Sequence, residues 1–336
     1  MEEFQKRRVV TFGELLLRLT TLHHERFIQS QTFDARYTGA EANVAVSLAN
    51  FGMETFAVSK VPNHEIGQAC INYLRRFGVN TDYIVRGGDR LGIVYIELGA
   101  SQRASKVIYD RSHSSFQEAS PEEFNWREIL TGKHWFHFSG TAPSRGPHVV
   151  NILKEACSVA RELGLTVSCD INYRSKLWTI EEARRVLPEF MKYVDVVICG
   201  LGDIRELFEI PTEKTGAMEE AMIRLQQRFG FSLVAMTLRE EPSTSINQLC
   251  GFLYDGKEVY QSRSYSIQII DRIGGGDAFT AGLIYGILSG LEPRETIEFA
   301  VATSCLKHTI PGDFNLVSLD EVKRLLEGKN FGRVQR

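Results

Sequence analysis

From His134 onward the chain repeats one phrase: a short apolar run, then a longer stretch with helical periodicity. His134 to Gly140, Leu165 to Asp170, Val194 to Cys199 and Ser232 to Thr237 read as strands. Between them, stretches near Pro147 to Leu163, Ile180 to Lys192 and Thr215 to Phe229 read as helices. Parallel strands cannot be joined by a tight turn and need a crossover, most often a helix. The alternation therefore predicts an α/β fold with a mostly parallel central sheet and helices on both faces. Arg8 to Gly13 and Thr55 to Lys60 add strands before it. Helices from Thr38 to Phe51 and Glu65 to Phe77 follow these, stopped by Gly52 and Gly78.

Four strand-like runs depart from the phrase. Leu15 to Thr20, Phe33 to Tyr37, Gly92 to Leu98 and Lys106 to Asp110 have no helices between paired members. They are expected to form a small β lid, segments about 14–38 and 92–117, on one domain spanning residues 1–336. Leu249 to Gln261 also departs, with two apolar runs meeting at Asp255-Gly256, a type I′ hairpin signal. Helices near Arg294 to Lys307 and Leu319 to Leu326 close the chain.

The chemistry concentrates at Ile273-Gly274-Gly275-Gly276-Asp277. Three glycines let backbone N–H groups converge without Cβ obstruction, and an apolar helix opens directly behind them. Phe279, Leu283 and Ile287 repeat at helical spacing, so that helix is buried. Its positive dipole end then faces whatever the turn holds, and an anion is the natural guest. Asp277 stands where a general base could reach a hydroxyl beside that anion, which suggests phosphoryl transfer. A glycine turn before a helix and an acidic residue in its first turn are also common as mere caps. The turn is neither a Walker A loop nor a Gly-x-Gly-x-x-Gly dinucleotide fingerprint.

Bulk properties exclude several classes. A net charge of −3 gives no basis for nucleic-acid binding, and the one compact basic cluster, Lys6-Arg7-Arg8, flanks a strand. No apolar run reaches membrane-spanning length, and the acidic, mixed N-terminus does not read as a signal peptide. The six cysteines are scattered inside apolar segments without a Cys-x-x-Cys pair, as expected for reduced core residues of a cytoplasmic protein. His134 and His137 point to opposite faces of one strand and make no paired metal site.

Two motifs carry a resemblance. Gly39-Ala40-Glu41-Ala42-Asn43-Val44-Ala45 resembles the N-terminal signature of the PfkB (ribokinase-like) sugar kinases, and Asp271-Arg-Ile-Gly-Gly-Gly-Asp277-Ala-Phe resembles their C-terminal one. The resemblance covers roughly residues 8 to 327 and implies a ribokinase-like three-layer fold. Within the family the likeness is to 2-keto-3-deoxygluconate kinases, carried by Gly-Ala-Glu-Ala-Asn, by Asp170-Ile-Asn-Tyr-Arg174 with Trp178, and by Leu306-Lys-His-Thr-Ile-Pro-Gly-Asp313-Phe. It implies ATP-dependent phosphorylation of a small-molecule sugar acid at its 6-hydroxyl, with Mg²⁺. A monovalent cation such as K⁺ near carbonyls around Asp271 and Ile273, and a homo-oligomer built through lid strands, are implied in the same way.

A sugar acid carries a carboxylate, which an arginine fork binds best. Arg174 and Arg111, each just past a strand, are the candidates. Tyr95 and Tyr109 on the lid strands are expected to close over the sugar, Gly39 to allow close backbone approach, and Asn43 to bond hydroxyls; the resemblance adds Asp313. Asp277 is the expected base. Gly274, Gly275 and Gly276 are the expected phosphoryl cradle.

The chain also departs from the family. Gly200-Leu201-Gly202-Asp203 stands where Asn-x-x-Glu is usual, leaving Asp203 to organise Mg²⁺-bound water. Thr237-Leu238-Arg239 stands for the nucleotide-side Thr-x-Gly, with extra residues Glu240 to Asn247 before the next strand. Thr38 replaces the first glycine of the N-terminal pair. Two alternatives stay open: a kinase for a neutral sugar such as fructose or ribose, and a non-catalytic sugar-binding regulatory protein.

Overall fold

Two sheets carry the fold, and the computed structural model describes residues 7–211, 217–240 and 246–328. Lys6, the expected helix start at Thr215, and residues 241–245 of the expected insertion lie outside the described residues. Among the described residues the larger sheet has ten strands. From edge to edge it runs Val259–Gln261, Ile246–Tyr254, Leu233–Glu240, Val196–Cys199, Thr166–Asp170, Trp135–Ser139, Arg8–Phe12, Glu54–Val61 and Ile84–Arg86. Tyr265–Gln268 pairs separately with Ile246–Tyr254. The seven strands from Leu233–Glu240 to Ile84–Arg86 are parallel, and the remaining pairs are antiparallel.

Side-chain alternation along these strands builds two cores. Val9, Trp135, Val196 and Ile198 point to one face, where the helices Ala40–Asn50, Gly275–Leu288 and Pro293–Lys307 pack. Val10, Phe136, Phe138 and Val197 point to the other, under the helices Pro147–Glu162 and Ala217–Phe229. Fully burying each such side chain contributes about 1.5–3 kcal/mol. Helices on both faces make three layers, as the alternation predicts.

The small sheet orders Phe33–Thr38, Leu16–Thr21, Gly92–Glu97 and Lys106–Asp110. These are the four runs expected to form a lid. Leu16, Val94 and Ile96 form its apolar underside with Val107, Tyr109 and Ile273.

Several elements differ from the sequence reading. The helix expected over Ile180 to Lys192 divides into Ile180–Val186 and Pro188–Met191, because Pro188 has no N–H to continue the first ladder. At Asp255-Gly256 the hairpin forms, but not through a type I′ turn. Only Gly256 has positive φ, 85°, whereas that turn needs two such residues. Asp255 Oδ1 instead accepts from the N–H groups of Lys257 (2.9 Å) and Glu258 (2.8 Å), closing a longer loop. Thr237-Leu238-Arg239 lies within a strand, with Thr237 opposite Gly251 and Arg239 opposite Leu249. The six cysteines are free, and five are buried.

Candidate active site

Strand ends place the cleft. Past Asp170 come Asn172, Tyr173 and Arg174, and past Cys199 come Gly200 and Asp203. These line a cavity of about 610 Å³ together with the glycine turn and the underside of the small sheet. The carboxyl ends of parallel strands are where open α/β sheets bind ligands. Gly39, Asn43, Tyr109, Arg111, Arg174, Asp203, Thr237, Arg239, Ile273, Gly274, Gly276, Asp277 and Asp313 all line this one cavity.

Asp277 is the third residue of the helix Gly275–Leu288. Its carboxylate accepts from Asn43 Nδ2 at 2.6 Å, across 234 residues of sequence. Asn43 Oδ1 in turn accepts from Thr38 Oγ1 at 3.3 Å. Asn43 lines the cleft where the sugar contact was expected, and its amide also aims the aspartate. Thr38, which stands in place of a glycine, has one hydroxyl proton to share between two acceptors within reach, Asn43 Oδ1 and the Asp313 carboxylate. Burial raises the Asp277 carboxyl to about 6, against the lowering effects of the Asn43 bond, Arg174 and Lys307. It sits deep in the protein yet opens partly to the cleft. A carboxyl in that range is a base at neutral pH.

Gly274 caps the helix with φ 82°, and a Cβ there would collide with the Asp313 carbonyl. Only glycine takes that conformation at that distance without cost. Gly276 faces open space, while a Cβ on Gly275 would strike the His308 ring. Gly275 corrects the expected cradle: it does not line the cleft, and its N–H donates to the Arg272 carbonyl at 3.3 Å. Gly276 and Asp277, in the helix's first turn, have N–H groups with no acceptor inside the helix. Gly274, Gly276 and Asp277 are thus the donors at this end. Arg239 and Arg272 line the cleft too. Both lower the pKa of buried His308, which places their charge beside the turn.

Charge pairing engages two more of the expected residues. Arg111 lines the cleft, but its Nε and Nη2 bond Glu14 Oε2 at 2.9 and 2.5 Å, and Arg145 Nε pairs with the same oxygen at 3.0 Å. Glu14 uses most of the Arg111 fork. Asp313 lines the cleft, is largely buried in an ion pair with Arg18 and accepts from Thr38, so it also braces the site. Arg18 also binds Asp271 Oδ2 at 2.7 Å, tying a strand of the small sheet to the glycine turn. Arg174, by contrast, is exposed and has no ion-pair or hydrogen-bond partner for its guanidinium among the described residues. Its charge nonetheless lowers Asp277, Asp170 and Asp203, so it is electrostatically close to all three.

Tyr95 is outside the cleft. On its strand Val94 and Ile96 face inward, so Tyr95 faces out and packs edge-on against Phe33 at 6.2 Å. Gly39 lines the cleft, and its missing Cβ would stand 2.5 Å from the Glu14 carbonyl, so close packing there explains the glycine. Asp271 is buried beneath the turn.

Sequence reasoning missed Glu14, Arg18 and Asp170 as site residues. Asp170 ends its strand in the cleft, where burial first and the Asp277 charge second raise it to about 8. Glu41 is buried with its carboxylate on Ser139 N (2.9 Å) and Oγ (2.6 Å), and burial raises it to about 7. A charged residue inside an apolar run, as Arg18 is between Leu17 and Leu19, was the one available signal. Among the described residues no group of three or more His, Cys, Asp or Glu could hold a metal. No helix there is long and apolar enough to cross a membrane.

The sequence model of the pfkB family of carbohydrate kinases matches residues 6–316. The chain belongs to that family. A 2-dehydro-3-deoxygalactonokinase of Haloferax volcanii is 33% identical over 327 residues, covering 96% of this chain and 98% of the relative. The crystal structure of 2-dehydro-3-deoxygluconokinase from Thermotoga maritima matches with a TM-score of 0.95 and 47% identity, covering 96% of this chain and 99% of that one. A PfkB family carbohydrate kinase from Listeria grayi matches with a TM-score of 0.91 and 36% identity, covering 96% and 100%. In this pfkB family chain, the Asn43–Asp277 bond joins the two signature motifs at one point of the cleft.

Proposed function

We propose that the chain transfers the terminal phosphoryl group of ATP to the 6-hydroxyl of 2-keto-3-deoxygluconate, giving 2-keto-3-deoxy-6-phosphogluconate. The observation that carries this reading is the pairing, in one cleft, of an aimed carboxylate at a helix N-terminus with an unpaired arginine. Asp277 takes the proton as the 6-oxygen forms its bond to phosphorus and the bond from phosphorus to the leaving ADP oxygen breaks. The N–H groups of Gly274, Gly276 and Asp277 grip the transferring oxygens, and Arg239 and Arg272 hold the phosphate tail. The open space at Gly276 fits this use.

Arg174 binds the substrate carboxylate, with the remaining Nη1 edge of Arg111 beside it. The sequence relatives whose names end in deoxygluconokinase and deoxygalactonokinase support a sugar-acid substrate. Mg²⁺ would neutralise phosphate charge when bound. Asp170 and Asp203 are the cleft carboxylates that would hold its water ligands, a donor set suited to an ion kept mainly by water and phosphate. Apolar Leu16, Val94 and Ile96 of the lid would exclude water from the transfer.

An ATP-consumption screen of sugar acids against fructose and ribose tests the proposal, with Asp277→Asn as control. Turnover confined to sugar acids and lost in the control is expected. Preference for a neutral sugar would make Arg174 irrelevant to selection, and no turnover with any substrate would favour a binding protein.

A further inference from the structure

We propose that the ammonium of Lys307 is this chain's built-in monovalent cation, so that the site needs no K⁺. Lys307 is the last residue of the helix Pro293–Lys307 and is fully buried. A buried lysine ordinarily meets a carboxylate. Here none lies within ion-pair distance of it among the described residues. Its Nζ donates instead to two backbone carbonyls, those of Asp271 at 3.2 Å and Ile310 at 3.3 Å. Carbonyl oxygens around a single positive charge are the ligand chemistry of an alkali cation.

The position is as telling as the ligands. The Asp271 carbonyl opens the segment that carries the glycine turn, so the ammonium is anchored where that segment begins. Asp277 lies within its electrostatic reach, each group shifting the other toward its charged form. Burial lowers Lys307 to about 8, and it stays cationic at neutral pH. The surroundings are braced for a fixed charge: Asp271 Oδ2 accepts from Gly312 N (2.9 Å) and Arg18 (2.7 Å), and Ser304 Oγ donates to the Gly275 carbonyl (2.7 Å). A K⁺ ion expected at the Asp271 carbonyl therefore does not fit, because that oxygen already holds Nζ. A positive charge there stabilises the turn's anion-gripping geometry without an ion from solution.

The test compares wild type with Lys307→Ala in K⁺, NH₄⁺ and choline chloride at one ionic strength. Wild-type kcat should agree within about twofold across the three salts, as no exchangeable ion is involved. Lys307→Ala should lose at least ~50-fold in choline and recover ~10-fold or more, saturably, in K⁺ or NH₄⁺. Thermal melts without substrates give a readout independent of the phosphoryl-transfer reading, on which only the rate measurements rest. K⁺ should raise the melting temperature of the variant by ~2–4 °C and leave wild type unmoved. A wild-type enzyme activated tenfold by K⁺, or a folded variant indifferent to every cation in rate and melt, overturns the proposal. If the alanine variant does not fold, Lys307→Met, which keeps the stem volume and so leaves no room for an ion, should lose rate equally in all three salts, and tenfold K⁺ activation of wild type still overturns the proposal.

Discussion

Replacing Asp277 by asparagine should make the protein more stable while nearly abolishing turnover. Burial has raised this carboxyl from its ordinary 3.8 to about 6. A raised carboxylate value means that the folded state binds the proton more tightly than the unfolded chain. Below about pH 4 the group is protonated in both states, and its contribution to stability is fully present. As pH rises toward 6 the unfolded chain ionises first and that contribution is lost, so at pH 7.5 the charged form costs the fold. At ~1.4 kcal/mol per unit the ceiling is about 3 kcal/mol, and partial opening to cleft water brings it to about 1–3 kcal/mol.

An asparagine keeps the shape and removes the charge. With an unfolding entropy of ~2.1 cal/mol/K per residue, the gain should appear as a rise in melting temperature of about 1.5–4 °C at pH 7.5. The rise should shrink toward zero near pH 4. Asp170, itself raised by the Asp277 charge, titrates with it as a pair and adds to the gain in the same direction. Turnover should fall ~10²–10⁴-fold. Melts across pH 4–8 alongside initial rates make the measurement. A variant that melts lower than wild type at pH 7.5, or that keeps a tenth of its rate, refutes the assignment of Asp277 as a strained base.

Other outcomes follow from the same geometry. Wild-type kcat should climb with pH through about 6 as Asp277 loses its proton, which a rate profile at saturating substrate checks. Arg174→Glu should raise KM for sugar acids at least ~10-fold with a smaller effect on neutral sugars, and equal effects on both would remove its role in selection. Arg18→Met should destabilise by ~3–5 kcal/mol, since it strands two buried carboxylates, Asp271 and Asp313; denaturant melts measure it. Tyr95→Phe should leave KM unchanged, because the side chain packs against Phe33 on the outer face of the small sheet.

The layers of the fold were readable because each parallel strand is a continuous apolar run and each crossover is long enough to show a helical period. Tyr265–Gln268 and Ile84–Arg86 were not, being too short to carry a period of their own. The Asp255-Gly256 turn was read for its glycine, but the Asp255 side chain, by accepting two N–H bonds, chose a different loop. In the site, most residues picked in advance met in one cavity, Gly275, Tyr95 and Asp271 excepted. What each side chain does there was less legible, because its partner is distant in sequence: Arg18 and Asp271 are 253 residues apart, Arg111 and Glu14 97. Such pairs decide whether a charged group is free for a ligand, and no local pattern encodes them. Lys307 shows this most clearly, an unremarkable helix-end lysine in sequence and a carbonyl-bound buried cation in the fold.

The most direct test is to incubate the protein with ATP, Mg²⁺ and 2-keto-3-deoxygluconate and locate the new phosphate by phosphorus–proton correlation NMR. Coupling of the phosphorus to the two protons on carbon 6, with one ADP released per product, is the expected result. No phosphorylated acid, or phosphorus on any other carbon, contradicts it.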